Sequence, residues 1–278
     1  VREAQEDGVF VDRARGFFAA IDGMGGSYSG ADAVTFIQKH LEETTLDANA
    51  PLPSLRGCLE AASARWWQVA QEDRRQQGSG ATIATVWVHG GIAWVSHVGD
   101  SRAYLSRGGR LLPLTSDHTL AHDAMLLGLS AQEDAAIAQY RNIITRAIGF
   151  AEQGLEPTGN AVALEPGDSL LLCTDGLHDH VEDDTIAGIL ARDPEDPATA
   201  LLDACLTTLA EDNIGIVTVT ASPTASAIRS AGSGSSSATA TPTSAARVLP
   251  TMADQGCASG LLGTANSSTE EAPKGATR

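Results

Sequence analysis

Residues 81–106 read ATIATVWVH-GG-IAWVSHV-GDS-RAYLS, and this stretch decides the fold. Its first two segments, 81–89 and 92–98, are rich in β-branched and aromatic residues, and Gly90 and Gly91 between them are a two-residue hairpin signal. The third segment, 102–106, begins after only three more residues. Because parallel strands need a crossover of a dozen residues or more, the stretch predicts an antiparallel β-meander.

Helical patterns lie before and after this meander. Val34, Ile37 and Leu41 recur at spacings of three and four residues, which is typical of one helix face. The same reading along the chain predicts helices at 31–41, 53–77, 182–191 and 197–210, and further strands at 16–21, 110–115, 161–165, 169–174 and 214–220. Grouped helices around consecutive hairpins predict an α+β fold in which helices cover antiparallel sheets.

Composition changes near residue 221. Residues 222–278 are rich in serine, alanine, threonine and glycine and contain no aromatic residue. Such a segment buries too little apolar surface to offset its chain entropy. We therefore predict a folded domain over 1–221 and a disordered tail over 222–278.

The charge and the cysteines exclude several classes of protein. The 278 residues carry a net charge of -17, which argues against nucleic acid as a partner because phosphate backbones require a basic surface. No apolar run reaches the 18 residues of a transmembrane helix, and the first residues lack the pattern of a signal peptide. The four cysteines lie too far apart for a zinc site and predict free thiols in a reducing compartment.

Aspartates follow or precede several predicted strands. Asp22 follows 16–21, Asp100 follows 92–98, Asp175 follows 169–174, and Asp212 precedes 214–220. If these strand ends converge, they form an oxygen-only site of the kind that Mg²⁺ and Mn²⁺ prefer. Each aspartate taken alone is more often a turn former or a helix cap, so the joint pattern carries the argument.

Other phosphate chemistry fits the sequence poorly. In the glycine-rich run 23–28, Tyr28 stands where a dinucleotide-binding loop needs its third glycine, and Asp22 at its entrance would repel a phosphate. Neither a GxSxG elbow nor a Walker lysine motif occurs.

Five segments occur in an order that resembles a known family. They are 22–26 (DGMGG), 98–104 (VGDSRAY), 114–119 (LTSDHT), 174–177 (TDGL) and 212–214 (DNI). Together they resemble the metal-dependent type 2C (PPM) serine/threonine protein phosphatases in their bacterial form. The resemblance covers about residues 1–220. It implies a sandwich of two antiparallel β-sheets with helices on both outer faces, from which the family's first strand is largely missing.

The resemblance also implies a site that holds two Mn²⁺ or Mg²⁺ ions, with a third, weaker ion. Asp22 would bridge the first two ions, Gly23 would lend its carbonyl to one, and Asp175 and Asp212 would complete the second. Asp100 and Asp179 resemble ligands of the third ion. In the opening segment 2–7 (REAQED), which resembles the family's RxxNED, Arg2 would bind substrate phosphate, and Glu6 and Asp7 would hold metal-bound waters. Gln5 replaces the usual asparagine.

The function that follows from the resemblance is hydrolysis of phosphoserine and phosphothreonine in proteins. Asp22, Asp175 and Asp212 are its predicted catalytic residues, through water activated by the two metal ions. Residues 119–145 resemble the family's flap, which shapes access for protein substrates. We expect a cytoplasmic, monomeric enzyme in signal transduction that opposes a serine/threonine kinase. Two alternatives stay open: an inactive relative that binds phosphoproteins, and an enzyme of the same fold in a partner-switching sigma-factor circuit.

Overall fold

Two five-stranded antiparallel sheets form the centre of the molecule. The computed structural model describes residues 5–25, 29–128, 140, 142–152, 154–192, 195–208, 212–223 and 240–249. Sheet A contains, in spatial order, β1 (Asp7–Asp12), β2 (Phe17–Met24), β3 (Gly80–His89), β4 (Ile92–Val98) and β7 (Thr158–Ala163). Sheet B contains β10 (Ala240–Leu249), β9 (Ile214–Pro223), β8 (Ser169–Cys173), β5 (Arg102–Arg107) and β6 (Arg110–Pro113).

Helices cover the outer faces of the sheets. Within the described ranges they are α1 (Ser29–Glu43), α2 (Pro51–Glu72), α3 (Leu120–Leu126), α4 (Asp175–His178), α5 (Asp183–Ala191) and α6 (Pro197–Leu206). Helices α1 and α2 pack on sheet A, and α5 and α6 pack on sheet B. The layers therefore run helix, sheet, sheet, helix, which confirms the predicted α+β sandwich.

The alternation of side chains along β2 explains these layers. Phe17 and Ile21 point toward α1 and α2, whereas Phe18 and Ala20 point into the space between the two sheets. All four residues are fully buried. Because successive side chains on a strand leave opposite faces, an apolar strand of this kind needs a cover on both sides. Each buried phenylalanine stabilises the fold by about 2–3 kcal/mol.

The meander forms as the opening stretch predicts. Strand β4 spans the predicted residues, β3 begins one residue earlier, and β5 ends one residue later. Gly90 and Gly91 both have positive φ angles, +61° and +76°. Side chains with a Cβ rarely adopt these angles, which is why the tight turn carries two glycines.

Several predicted boundaries were wrong. The strand predicted to stop at Ile21 continues to Met24, because Asp22 pairs with Thr82 and Gly23 pairs with Ala81. The strand predicted at 161–165 lies at 158–163, and the helix predicted to reach 77 ends at Glu72. The sequence did not predict β1, α3 or α4.

The segment predicted to be disordered contains a strand. Strand β10 pairs with β9 in antiparallel register from Ala240 opposite Pro223 to Leu249 opposite Ile214. For these ten residues the structure differs from the prediction. Residues 224–239 and 250–278 lie outside the described residues, and the division into a domain over 1–221 and a tail over 222–278 stays a prediction.

None of the described helices is both long enough and apolar enough to cross a membrane.

Candidate metal centre

Asp7 and Asp22 face each other on neighbouring strands at one end of sheet A. They are direct partners in the register of β1 and β2, and both are almost completely buried. Burial raises the pKa of Asp7 to about 7, with the nearby charges of Asp175 and Asp212 adding to the rise. Burial also raises the pKa of Asp22 well above its usual value, and the charge of Asp7 contributes next. Two buried carboxylates that face each other repel when both are ionised, so this pair favours a proton or a cation between its oxygens.

The backbone around this pair is tightly packed. The amide of Gly23 donates to the carbonyl of Glu6 at 2.9 Å. A Cβ atom at position 23 would lie 2.5 Å from the carbonyl oxygens of both Glu6 and Gly30. Only glycine therefore lets the start of α1 approach β2 so closely. This explains the glycine that follows Asp22.

Sheet B brings two further carboxylates to the same end. Asp175 is the first residue of α4 and lies two residues after the end of β8, and Asp212 lies two residues before β9. Both are partly exposed, and their charges raise the pKa values of Asp7 and Asp22. The structure thus brings together four aspartates, which we call the carboxylate cluster: Asp7, Asp22, Asp175 and Asp212.

Two hydrogen bonds join the sheets beside the carboxylate cluster. The Thr174 hydroxyl donates to Asp7 Oδ2 at 2.7 Å. The backbone amide of Glu6 donates to Asn213 Oδ1 at 2.8 Å. Thr174 follows β8 and Asn213 precedes β9 in sheet B, whereas Asp7 is the first residue of β1 and Glu6 directly precedes it. Both bonds therefore fix the first residues of β1 against the opposite sheet. Their long sequence separation leaves no local signal that could predict them.

Asp100 lies at the edge of the carboxylate cluster. It is buried, and its Oδ1 has no hydrogen-bond partner within the described part of the chain. Burial raises its pKa to about 6, and the charges of Asp175 and Asp117 add to the rise. The preceding Gly99 has φ +92°, and a Cβ there would lie 2.4 Å from the Thr82 side chain. The turn that carries Asp100 is thus packed closely on β3.

Asp179 lies farther out than the other predicted ligands. It is exposed, and its Oδ1 lies 3.3 Å from His178 Nδ1. The Nε2 atom of His178 donates to the carbonyl of Asp100 at 3.0 Å. His178 therefore connects the two residues predicted to share a third ion. His118 also makes structural contacts, since its Nδ1 accepts from the Gly99 amide at 3.2 Å.

The donor set fits a hard divalent cation. The clustered side chains offer carboxylate oxygens, and such oxygens are the ligands that Mg²⁺ and Mn²⁺ prefer. Across the described ranges, no three His, Cys, Asp or Glu side chains form a ready-made cage for one ion. The charges of Asp175 and Asp212 nevertheless raise the pKa values of both Asp7 and Asp22, so the four carboxyl groups lie within electrostatic reach of one another. Carboxylates without a counter-charge repel one another, and a cation would draw them closer together.

Arg2, the predicted phosphate-binding residue, lies outside the described residues. So do Gly26 of the DGMGG segment and residues 129–139 and 141 of the predicted flap. The other predicted site residues are described, and seven of them lie at the starts or ends of strands or in the turns beside them: Glu6, Asp7, Asp22, Gly23, Asp100, Asp175 and Asp212.

The close packing of α4 against the residues before β9 can be tested at Gly176, the glycine after Asp175. A Cβ at Gly176 would lie 1.9 Å from the carbonyl oxygen of Asn213, which is backbone and cannot rotate away. We expect Gly176→Ala to lower the free energy of unfolding by about 2 kcal/mol, because α4 must move away from β9. Urea unfolding in the presence of a chelator measures this.

Gly57→Ala is the matched control. Gly57 is exposed on α2, and a Cβ there would have no atom within 4 Å. A helical glycine replaced by alanine gains up to about 1 kcal/mol. Equal effects of the two substitutions would contradict the packing argument.

Comparisons with known proteins agree with this geometry. Residues 6–214 match the family model described as Protein phosphatase 2C. The chain is 35% identical over 224 residues to the serine/threonine protein phosphatase PstP of Mycobacterium tuberculosis, covering 78% of this chain and 42% of that protein. It is 33% identical over 190 residues to the protein phosphatase PhpP of Streptococcus pneumoniae, covering 66% of this chain and 76% of that protein.

A solved structure shows the same fold. It is the catalytic domain of a serine/threonine protein phosphatase PstP in complex with two manganese ions. The TM-score is 0.67 at 29% identity, and the match covers 78% of this chain and 91% of that one. The chain spans about two fifths of the length of the first curated relative that it matches.

Proposed function

The chain belongs to the protein phosphatase 2C family, and from this premise we propose that it is a metal-dependent protein serine/threonine phosphatase. Its reaction is hydrolysis of phosphoserine and phosphothreonine by direct attack of water. The observation that carries the proposal is the carboxylate cluster, in which the pKa values of Asp7 and Asp22 on sheet A are raised by the charges of Asp175 and Asp212, which lie beside strands of sheet B. The similarity to one relative named as a serine/threonine protein phosphatase and to another named as a protein phosphatase supports the same reaction.

The proposed site holds two ions, Mn²⁺ or Mg²⁺, and a third more weakly. Asp22 would hold both of the first two ions, the Gly23 carbonyl would hold one of them, and Asp175 and Asp212 would complete the ligands of the second. Glu6 and Asp7 would hold the waters of these ions, Asp100 and Asp179 would hold the third ion, and Arg2 would bind the substrate phosphate. The burial of Asp22 and the unpartnered Oδ1 of Asp100 support this assignment.

Two divalent cations in this site would lower the pKa of a water molecule and offset the charge on the phosphoryl group. The chain's part is to hold the oxygen ligands before the ions arrive. Burial makes each carboxylate of Asp7 and Asp22 costly to leave uncompensated, so the folded chain favours cation binding. The hydrogen bonds of Thr174 and Asn213 hold β1 in position for it.

The segment 119–145 is proposed to shape substrate access. Its two described ends are joined, because the Leu120 amide donates to the Ile143 carbonyl at 2.8 Å and the Thr145 amide donates to the His118 carbonyl at 2.8 Å. On α3 and directly after it, Leu126 and Leu127 are 74% and 82% exposed. Exposed apolar side chains of this kind favour contact with a protein substrate.

The wider role forms part of the same proposal. The substrates are phosphorylated proteins that a serine/threonine kinase produces, and the enzyme acts as a monomer in the cytoplasm. Cys58, Cys173 and Cys205 are buried and free, which supports a reducing compartment.

A phosphothreonine peptide tests the proposal. We expect the chain to release inorganic phosphate in the presence of Mn²⁺ and to lose this activity when a chelator is added. The measurement is phosphate release at several Mn²⁺ concentrations, repeated with Mg²⁺. The absence of hydrolysis with either metal, in a sample shown to be folded, would overturn the proposed function.

An exposed aspartate provides the control. Asp203 lies on the outer surface of α6, so Asp203→Asn changes the net charge by the same amount as a substitution in the site. We expect this variant to keep the Mn²⁺ dependence of the wild-type chain.

A further inference from the structure

The Thr174 side chain does not cap the helix that follows it, although Thr174 occupies the N-cap position of α4. Thr174 is the residue before α4, where a threonine side chain ordinarily accepts a hydrogen bond from an amide of the first helical turn. Its side chain caps no amide of α4. The hydroxyl instead donates to Asp7 Oδ2 at 2.7 Å, and the whole residue is fully buried.

Gly215 fixes the direction of this hydroxyl. The Gly215 amide donates to Thr174 Oγ1 at 2.8 Å, and the Thr174 amide donates to the Gly215 carbonyl at 3.1 Å. Because Oγ1 already accepts from Gly215, its own proton is directed to Asp7. A Cβ at Gly215 would lie 3.1 Å from Thr174 Cγ2 and 3.6 Å from Asp7 Oδ2. The missing side chain leaves room for the bond between the sheets.

Strand β1 needs this support because it is an edge strand. Among the described strands of sheet A it pairs with β2 alone, so no described strand lies beside Asp7 on its other side. The Asn213 side chain holds the backbone of β1 at Glu6, and Thr174 holds the carboxylate of the next residue. Sheet B thus fixes both the path of the edge strand and the orientation of its first side chain.

We propose that Thr174 is a positioning residue that orients the Asp7 carboxylate for metal binding across the gap between the two sheets. The inference rests on the proposed function, since it assigns Asp7 to the metal site. Groups that orient a residue of a metal site without touching the ion commonly change metal affinity ten- to a hundredfold when they are lost.

Three variants separate this role from a structural one. Thr174→Val keeps the shape and removes the hydroxyl, whereas Thr174→Ser keeps the hydroxyl and removes a methyl group. Thr85→Val is the matched control, because the Thr85 hydroxyl is also fully buried and also donates at 2.7 Å, but to the carbonyl of Ser96 in the middle of sheet A.

Calorimetric titration with Mn²⁺ alone is the main measurement, with phosphopeptide turnover measured beside it. We expect Thr174→Val to bind Mn²⁺ about ten- to a hundredfold more weakly than the wild-type chain, and Thr174→Ser to restore the affinity. Thr85→Val should bind Mn²⁺ as the wild-type chain does. At saturating Mn²⁺, the Thr174→Val variant should recover most of its turnover.

The outcomes are distinct. Equal Mn²⁺ affinities of Thr174→Val and Thr85→Val in an active enzyme would overturn the inference and leave the proposed function standing. A wild-type chain that binds Mn²⁺ but hydrolyses no phosphopeptide would overturn the proposed function. The order of the Mn²⁺ affinities would still decide the role of Thr174 in that case.

Discussion

Asp22→Asn is expected to lower phosphopeptide turnover by about a thousandfold or more. Asp22 is the residue on which the charges of the site converge, since Asp7, Asp175, Asp100 and Asp212 all raise its pKa. An amide at this position presents one neutral oxygen in place of a carboxylate. The Lewis acidity of a bound metal is worth several kcal/mol in the transition state, and each 1.36 kcal/mol corresponds to a factor of ten in rate.

The stability of the same variant should change in the opposite direction. Without metal, the Asp22 carboxyl is buried among like charges, which makes its ionised form unfavourable at neutral pH. The neutral amide removes this cost, so the metal-free Asp22→Asn protein should have a higher Tm than the metal-free wild-type chain at pH 8. Functional sites commonly store such a cost in stability.

Calorimetry with a chelator and with Mn²⁺ measures both effects, together with phosphate release. Mn²⁺ should raise the Tm of the wild-type chain and change that of Asp22→Asn much less. Asp203→Asn, on the exposed surface of α6, should behave as the wild-type chain in each assay. A metal-free Asp22→Asn protein that is less stable than the wild-type chain would contradict the assignment of Asp22 to a repulsive cluster.

The layered fold could be predicted because its causes are local. The turn at Gly90 and Gly91 and the short spacing to residue 102 fix an antiparallel meander, and an apolar strand such as 17–21 requires cover on both faces. Strand β1 was missed because its pattern is short, Asp7–Asp12, and only its pairing with β2 defines it. Strand β10 was missed because its composition is that of a linker, and only its pairing with β9 defines it.

The sequence could predict which aspartates lie beside strand ends, but not the contacts that orient them. Asp22, Asp100, Asp175 and Asp212 stand beside strands, and the structure brings their charges together. The contacts that orient them could not be predicted, because Thr174 and Asp7 are separated by 167 residues. A threonine before Asp-Gly also has an ordinary explanation as a helix cap. The structure is needed to show that its hydroxyl donates to Asp7 instead of capping α4.

The stability of the metal-free protein should fall as the pH rises from about 6.5 to 8. Asp7 has a pKa of about 7 in the folded chain against a usual value of 3.8, and that of Asp22 is also raised. The folded state therefore binds more protons than the unfolded state above pH 4, and stability is lost as these protons are released. This direction is the reverse of that for a carboxylate held by a salt bridge.

Buried histidines oppose this trend at lower pH. Burial lowers the pKa values of His97 and His118, the latter to about 3. The unfolded state therefore binds more protons at these groups, and they raise the stability with pH until the unfolded histidines have lost their protons at about pH 7.5. Between pH 6.5 and 8 each of the two histidines still adds roughly 0.4 kcal/mol, which is less than the loss from the carboxyl groups, so the slope keeps the sign that the carboxyl groups give it.

The size of the expected loss of stability follows from the number of protons that Asp7 and Asp22 release on going from pH 6.5 to 8. Between pH 6.5 and 8, Asp7 contributes roughly 1 kcal/mol and Asp22 at most about 2 kcal/mol, since one proton released per pH unit is worth about 1.4 kcal/mol. After the opposing histidine contribution the net loss is roughly 2 kcal/mol at most, so the Tm of a domain of this size should fall by about 4–8 °C. Thermal unfolding in a chelator at half-unit pH steps measures the slope. Asp7→Asn should flatten it, and Mn²⁺ should abolish it because the cation replaces the protons. A metal-free Tm that rises over this range would show that the carboxyl groups of Asp7 and Asp22 do not share a buried site.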